Sequence, residues 1–396
     1  MSRDSGWERE ALLEWQGEVA LYCQGDLTAA AREHLRWLME RTMETELTQR
    51  LGAERYGRSD TRSDWRNGYR KRDLMTEMGL LTGLRVPRAR QEGYQPQLFG
   101  RYARRQPLVN KLILEMFVAG VATRRVGEVL EALLGDAPSA TTVSRIAKGL
   151  DARVREFHGR PVSDRWQYLL LDGVRMSVKS AGGLKKRLVL VVYGIDIEGR
   201  RELLDFALAD GESEAEWAAL LQHLWGRGLK GENLELVVTD GAPGLIAALK
   251  FIWPHALHQR CWAHKLRNVV NLVRKKDQPK VIASARAIYQ APTRRAAIAA
   301  FLAWKRQWQA IYPKAVSCLQ KDLNQLLAHM DYPARMRSKL RTTNAIERCF
   351  REVRRRTRPM SAFCNDASCE RIVYALIAHM NKQWSRKPLP EFTHKS

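Results

Sequence analysis

The sequence has no apolar run approaching the length of a membrane-spanning helix, and its 12 Trp and 11 Tyr are scattered along the chain. A membrane partner is therefore disfavoured even though the charge would suit an anionic surface. From Met1 to Trp15, Arg, Asp and Glu interrupt the apolar residues, so the continuous segment of a secretion signal is missing and a cytoplasmic location is expected. Cysteine is sparse, six residues at 23, 261, 318, 349, 364 and 369 with no regular spacing, which fits reduced thiols better than a disulfide framework. Acidic residues are also in deficit, 43 against 67 Lys and Arg, leaving a formal charge of +24. Such a field favours a polyanion, with nucleic acid the leading candidate.

What is present is enough for several cores. The chain has 396 residues, 45% of them hydrophobic, which predicts two or three folded units. From Thr28 to Leu51 apolar residues recur at Leu35, Leu38, Met39, Met43, Leu47 and Leu51, the spacing of an amphipathic helix whose stripe is either core or a dimer contact. The basic stretch Arg66 to Arg72 leads into Thr76 to Pro87, where Gly79 and Gly83 suggest turns between short strands of a hairpin. Three helices are then expected: Leu108 to Ala119, Arg124 to Leu134 after a Thr123 cap, and Ala140 to Leu150 after Ser139. This is helix-turn-helix spacing. In the third helix Val143, Ile146, Ala147 and Leu150 can face inward. Thr141, Thr142, Ser144, Arg145 and Lys148 then face outward, a composition suited to a major groove, or to the surface of an ordinary helical unit.

The texture changes with strand-like runs Trp166 to Leu171, Arg187 to Tyr193, Leu203 to Leu208 and Leu234 to Thr239. Between the third and fourth, Ser213 to Glu216 forms a capping box opening a helix through Leu224, so a crossover to a parallel neighbour is expected. After Cys261 the pattern is helical almost to the end: Ala283 to Ile288, Arg294 to Ile311, Pro313 to Met330, Asn344 to Arg356 and Ala367 to Trp384.

Three carboxylates stand out. Asp172 ends the run Tyr168-Leu-Leu-Leu171 and Asp240 ends Leu236-Val-Val-Thr239, each followed by Gly. Neighbouring carboxylates at the carboxyl ends of parallel strands repel unless a cation or proton lies between them, so the pair invites a hard metal such as magnesium. Asp-Gly is also a plain turn signal, which is the simpler account of either residue alone. Glu347 opens a strongly basic helix. It is either the N3 acid of a cap at Asn344 or a metal ligand sharing a face with Arg351, Arg354, Arg355 and Arg358, phosphate-binding forks that Glu347 and Glu352 cannot balance. Cys261 and His264 have a Cys-x-x-His spacing. A closed zinc site needs four ligands and no second pair follows, so a structural role or a DNA contact is expected instead.

Taken together, several stretches resemble the Mutator-type transposases of bacterial insertion sequences: Arg66 to Arg70, Leu84 to Arg88, Thr141 to Ile146, Tyr168 to Asp172, Val238 to Leu245, Gln259 to Lys265, Asp331 to Pro333 and Arg341 to Arg348. Ile252, before Trp253-Pro254, stands where that family usually has a smaller residue. The resemblance implies an α/β RNase H-like catalytic core with an all-helical insertion, preceded by a mainly helical DNA-binding region with a helix-turn-helix and a small β-hairpin. It places Asp172, Asp240 and Glu347 in the catalytic, metal-holding positions, with two Mg²⁺ ions and Mn²⁺ able to substitute, and it places Cys261 and His264 in a signature. The implied partners are the terminal inverted repeats and target DNA, and pairing two ends implies a homodimer. Arg145, Lys148, Arg348, Arg351, Arg354 and Arg355 are the expected DNA contacts.

The expected organisation is a helical region over 1–65, a hairpin module over 66–106, a helix-turn-helix domain over 107–158, and a catalytic core over 159–276. A helical insertion over 277–340, the remainder of the core over 341–386 and a tail complete it. Two other readings stay open: a non-catalytic DNA-binding regulator with a degenerate core, and a structure-selective nuclease that cleaves without joining.

Overall fold

The computed structural model describes residues 27–91, 93–119, 121–180, 182–357 and 362–393. It is a mixed α/β chain, about half helical, and divides into two compact units, Met1–Ala147 and Lys148–Ser396. Cys23 and Arg358 lie outside the described residues.

In the first unit, α1 (Leu27–Leu51) buries Met39, Met43, Leu47 and Leu51 on one face, the stripe expected from their i, i+4 spacing. That stripe packs into a core with Leu74, Leu81, Leu84 and Val86, while Leu38 stays exposed. Strands β1 (Arg66–Thr76) and β2 (Gly79–Ala89) form the hairpin. They are longer than the sequence suggests, and Gly83 is not a turn. It lies within β2, opposite an irregularity in the pairing at Asp73, whose carboxylate accepts its N–H at 2.8 Å. Its φ of 68° suits glycine.

Helices α2 (Pro107–Val118), α3 (Thr123–Leu134) and α4 (Ala140–Ala147) complete this unit. Ser139 caps α4, its hydroxyl accepting the Thr142 N–H at 3.2 Å. Thr123 does not cap α3; it is the first helical residue after Ala122. The third helix also stops at Ala147, short of Leu150, and α5 (Leu150–Gly159) begins beyond Gly149. Arg145 is exposed on α4, and Lys148, expected on the same helix, is exposed beyond its end.

The second unit is built on a five-stranded sheet of order β5-β4-β3-β6-β7. Its members are β3 (Trp166–Ser180), β4 (Gly183–Asp196), β5 (Arg201–Ala209), β6 (Leu236–Thr239) and β7 (Leu257–Arg260). The first three form an antiparallel meander; β6 is parallel to β3 and β7 is parallel to β6. The crossover between β5 and β6 is α6 (Glu214–Gly226), opened by the Ser213 cap. The Glu216 carboxylate reaches back to the N–H groups of Asp210 and Gly211. The crossover from β6 to β7 is α7 (Pro243–Ile252), and β7 itself has no counterpart among the expected strands.

Strand alternation sends Leu169 and Leu171 to one face, where they join Trp217, Leu221, Leu224 and Leu245 of α6 and α7. Leu170 and Asp172 point to the other. From Trp262 to Leu340 the chain is helical: α8 (Trp262–Val270), α9 (Gln278–Tyr289), α10 (Arg294–Trp308), α11 (Pro313–Lys321), α12 (Leu323–Leu326), a 3₁₀ turn (Ala328–Asp331) and α13 (Ala334–Leu340). This stretch has its own core around Val281, Phe301, Trp304, Trp308 and Leu319. The single helix expected over Pro313 to Met330 is broken at Asp322. That carboxylate is withdrawn into an ion cluster with Lys265 and with Arg260, the latter at 3.0 Å.

The last two helices are α14 (Asn344–Thr357) and α15 (Asp366–Trp384). Ile346, Phe350 and Val353 of α14 are fully buried at helical spacing, which fixes its inward face. Cys261, Cys318, Cys349, Cys364 and Cys369 are free thiols.

Candidate functional site

Asp172 is not at a strand end, contrary to the expectation for Asp-Gly. It lies inside β3, which continues to Ser180. Its parallel partner β6 pairs only with Tyr168, Leu169 and Leu170, so Asp172 stands just beyond the carboxyl end of that pairing. Asp240 follows the last residue of β6. The two glycines serve different ends. Gly241 has φ 87°, and a side chain there would also strike Arg260. Gly173 leaves room for the carboxylate of Glu212, which a Cβ would displace.

Glu347 arrives from the first turn of α14. Asn344 is not its cap; Thr343 precedes the helix, its carbonyl accepting the N–H groups of Ile346 at 2.9 Å and Glu347 at 3.4 Å. Ligand atoms of Asp172, Glu347 and His264 lie within 4.8 Å of one another. His264 Nε2 is 3.7 Å from the Glu347 carboxylate and Arg267 is 3.5 Å from it. Thus Asp172 and Glu347 are brought together with a histidine expected only as part of a signature. Asp240 is outside that close group, its carboxylate accepting the Ala242 N–H at 2.9 Å, yet near enough for its charge to bear on Asp172 and His264.

The electrostatics follow from burial. Asp172 is 4% exposed. Desolvation pushes its carboxyl up to about 6, opposed by the charge of His264 and a hydrogen bond with Thr343, and reinforced by Asp240 and Glu347. His264 is raised to about 9 by its interaction with Cys261, against desolvation, with further support from Asp172 and Asp240. Burial pushes the Cys261 thiol up, but His264 and Thr343 outweigh it and the net displacement is downward. The carboxylates of Asp172 and Glu347 are therefore held around an imidazole that favours its cationic form. A partly buried Glu212, raised by desolvation and by Asp240, faces the same cluster. It was not singled out in the sequence, where it looks like a loop acid ahead of a capping box.

Cys261 ties the carboxylate-bearing elements together. Its N–H donates to Thr239 O at 2.7 Å, next to Asp240, and its sulfur accepts the Thr343 N–H at 3.3 Å, four residues before Glu347. Trp262 N–H donates to Arg341 O at 3.0 Å, adding a second tie to the same loop. Thr343 in turn bonds Asp172. The clustered carboxylate oxygens of Asp172 and Glu347, with Asp240 near them, fit a hard divalent cation.

The outer face of α14 exposes Arg348, Arg351, Arg354 and Arg355. Arg355 pairs with Glu352 at 2.9 Å. Glu347 takes its charged partners from α8 rather than from this row.

These features describe a mixed-sheet protein with a buried carboxylate cluster beside a basic helix, a class of site suited to phosphodiester chemistry. The family model "Transposase, Mutator family" matches residues 14–387, and the chain belongs to that family. It is 36% identical to the transposase for insertion sequence element ISRM5 of Rhizobium meliloti (strain 1021), over 89% of this chain and 88% of the relative. It is 37% identical to the transposase for insertion sequence element IS406 of Burkholderia multivorans (strain ATCC 17616 / 249), over 89% and 91%. With the transposase for insertion sequence element IS256 in transposon Tn4001 of Staphylococcus aureus the identity is 31%, over 86% and 87%. Among the described residues no helix is long and apolar enough to cross a membrane.

Proposed function

We propose that this transposase cuts and joins DNA ends at Asp172, Asp240 and Glu347 on an RNase H-like core. The carrying observation is the convergence of Asp172 and Glu347, from a central strand and a distant helix, at the carboxyl end of the β3–β6 pairing with Asp240 beside them. An antiparallel meander followed by two parallel strands supports the RNase H-like reading. Two divalent ions, Mg²⁺ or Mn²⁺, would when bound activate the attacking oxygen and stabilise the departing one.

The chain's own residues supply the frame. Asp172 projects from the central strand of the sheet, with Thr343 orienting its carboxylate. Cys261 holds the loop before Glu347 against the strand that ends at Asp240. Arg351, Arg354 and Arg355 bind successive phosphates along the outer face of α14. The attacking oxygen is water when the element's 3′ end is freed and that 3′-hydroxyl when target DNA is joined. One P–O bond forms as another breaks, and no covalent protein intermediate is required.

We further read α2 to α4 as a helix-turn-helix that recognises the inverted repeats, with Arg145 exposed on its last helix and Lys148 just beyond. Pairing two ends calls for a dimer. The test is strand joining of a labelled element-end duplex into a plasmid with Mg²⁺, comparing the native chain with Asp240→Asn. Joined product that disappears in the variant while DNA binding persists supports the reading. Binding without cleavage or joining in the native chain, across end sequences, overturns it in favour of a DNA-binding regulator.

A further inference from the structure

A cavity of about 700 Å³ opens beside the carboxylate cluster, between the start of α14, the end of α15 and α8. Leu170 of β3, two residues before Asp172 on the same face, lies in its wall. Its basic side chains are Arg201, Lys339, Arg341 and Arg348, against one acid, Glu352. Lys339 and Glu352 are engaged elsewhere, with Glu391 and Arg355. Arg348 has no carboxylate partner among the described residues; Arg201 bonds the Tyr193 hydroxyl and Arg341 donates to Tyr289 O at 3.4 Å, neither of them an anion, and Arg201 Nε is buried without a hydrogen bond. The first turn of α14, at Asn344 and Ala345, also faces the cavity, and the amino end of a helix favours an anion.

Aromatic rings form another part of the wall, beside the polar Ser338, Thr342 and Gln383. Trp384 and Tyr289 line it, with Arg201 5.1 Å from the Trp384 ring centre and Arg341 4.9 Å from that of Tyr289. Trp262 lies against Tyr289 with ring centres 5.1 Å apart. A phosphate alone would fill a small fraction of this volume and would leave the aromatic wall without purpose. An extended duplex is too wide for it. One nucleotide matches both halves: a phosphate for the guanidinium groups and the helix terminus, and a planar base for the aromatic and guanidinium faces.

We infer that this cavity holds a single unstacked deoxynucleotide of the strand whose neighbouring phosphate lies at Asp172 and Glu347. Glu347 and Arg348 are consecutive on α14. One turns to the carboxylate cluster and the other to the cavity, so adjoining units of one strand can be held on either side of the helix's first turn. The identity of that strand rests on the strand-transfer reading; the nucleotide site does not.

The test uses the full chain in EDTA, with deoxyadenosine 5′-monophosphate, deoxyadenosine and inorganic phosphate titrated separately by calorimetry. Saturable nucleotide binding, at least ten-fold tighter than either fragment, is expected. Arg348→Ala, at an exposed position that does not threaten folding, should weaken it about ten-fold. Trp384→Leu should weaken nucleotide binding by a similar factor and leave the affinity for inorganic phosphate unchanged. Nucleotide binding no tighter than phosphate, or indifferent to Arg348→Ala, overturns the inference. Because the measurement needs neither metal nor joining, its result is separate from that of the strand-joining test.

Discussion

Replacing Asp172 by Asn should make the metal-free protein more stable. The folded state holds this carboxyl near 6 against an ordinary 3.8, chiefly because the anion is buried. A folded-state value above the unfolded one means that the folded protein binds the proton more tightly. That contribution is complete below about pH 4 and is lost as pH rises through 6. Asn does not ionise and keeps an oxygen that can accept from Thr343. At 1.36 kcal/mol per unit, the shift corresponds to at most about 3 kcal/mol at pH 8, less as the site relaxes. For a unit of this size that is a rise in Tm of roughly 6–12 °C at the ceiling. The assay is thermal unfolding in EDTA at pH 4, 6 and 8, followed by the same series with Mg²⁺. The two proteins should unfold together at pH 4 and separate progressively above pH 6, the variant melting higher. Added Mg²⁺ should then raise the native protein, by about 2.7 kcal/mol at a hundred times Kd, and leave the variant nearly unmoved. A variant melting at or below the native temperature at pH 8 in EDTA would refute the claim that the site stores the cost of a buried charge.

Acid should weaken the second unit through two imidazoles, His329 buried and His258 half-buried. Desolvation lowers His258 and His329 to about 4, so stability present above pH 6.5 is lost toward pH 4, by up to ~3 kcal/mol for each. His258→Gln and His329→Asn should flatten the stability profile over that window in urea titrations; an unchanged slope would remove these groups as its cause. Cys261→Ala removes the acceptor of the Thr343 N–H, and Mn²⁺ affinity measured by electron paramagnetic resonance should fall by about 10–100-fold, with partial rescue in Cys261→Ser. Lys265→Met leaves Asp322 paired with Arg260 alone and should cost about 1–3 kcal/mol in unfolding by urea. Arg351→Ala should reduce the slope of log affinity for duplex DNA against log salt by about 1, uniformly across sequences.

The elements that could be read from the sequence are those whose signal is local. The i, i+4 stripe of α1, the capping box of α6 and the apolar seam of α14 each need only a turn or two of chain to declare themselves. Asp240 was legible because it closes a short apolar run at a true strand end. The same cue misplaced Asp172, because β3 continues as an antiparallel arm with β4 in which buried Val174, Met176 and Val178 alternate with Arg175, Ser177 and Lys179, so the consecutive apolar run ends while the strand does not. β7, with polar His258, Gln259 and Arg260, exists by pairing with β6 and has little pattern of its own. The break at Asp322 has no Pro or Gly to announce it; a buried ion cluster with residues far away in sequence produces it.

The sequence by itself determined a strong excess of positive charge suited to a polyanion, the principal helices, and three carboxylates embedded in recognisable motifs, because charge, periodicity and capping depend on composition and near neighbours. Tertiary structure alone decided that His264 rather than Asp240 stands closest to Asp172 and Glu347, that Glu212 joins them, and that Cys261 ties the loop of one carboxylate to the strand of another. Those relations join residues on separate strands and helices, and no local preference encodes a distance between side chains that only packing brings together.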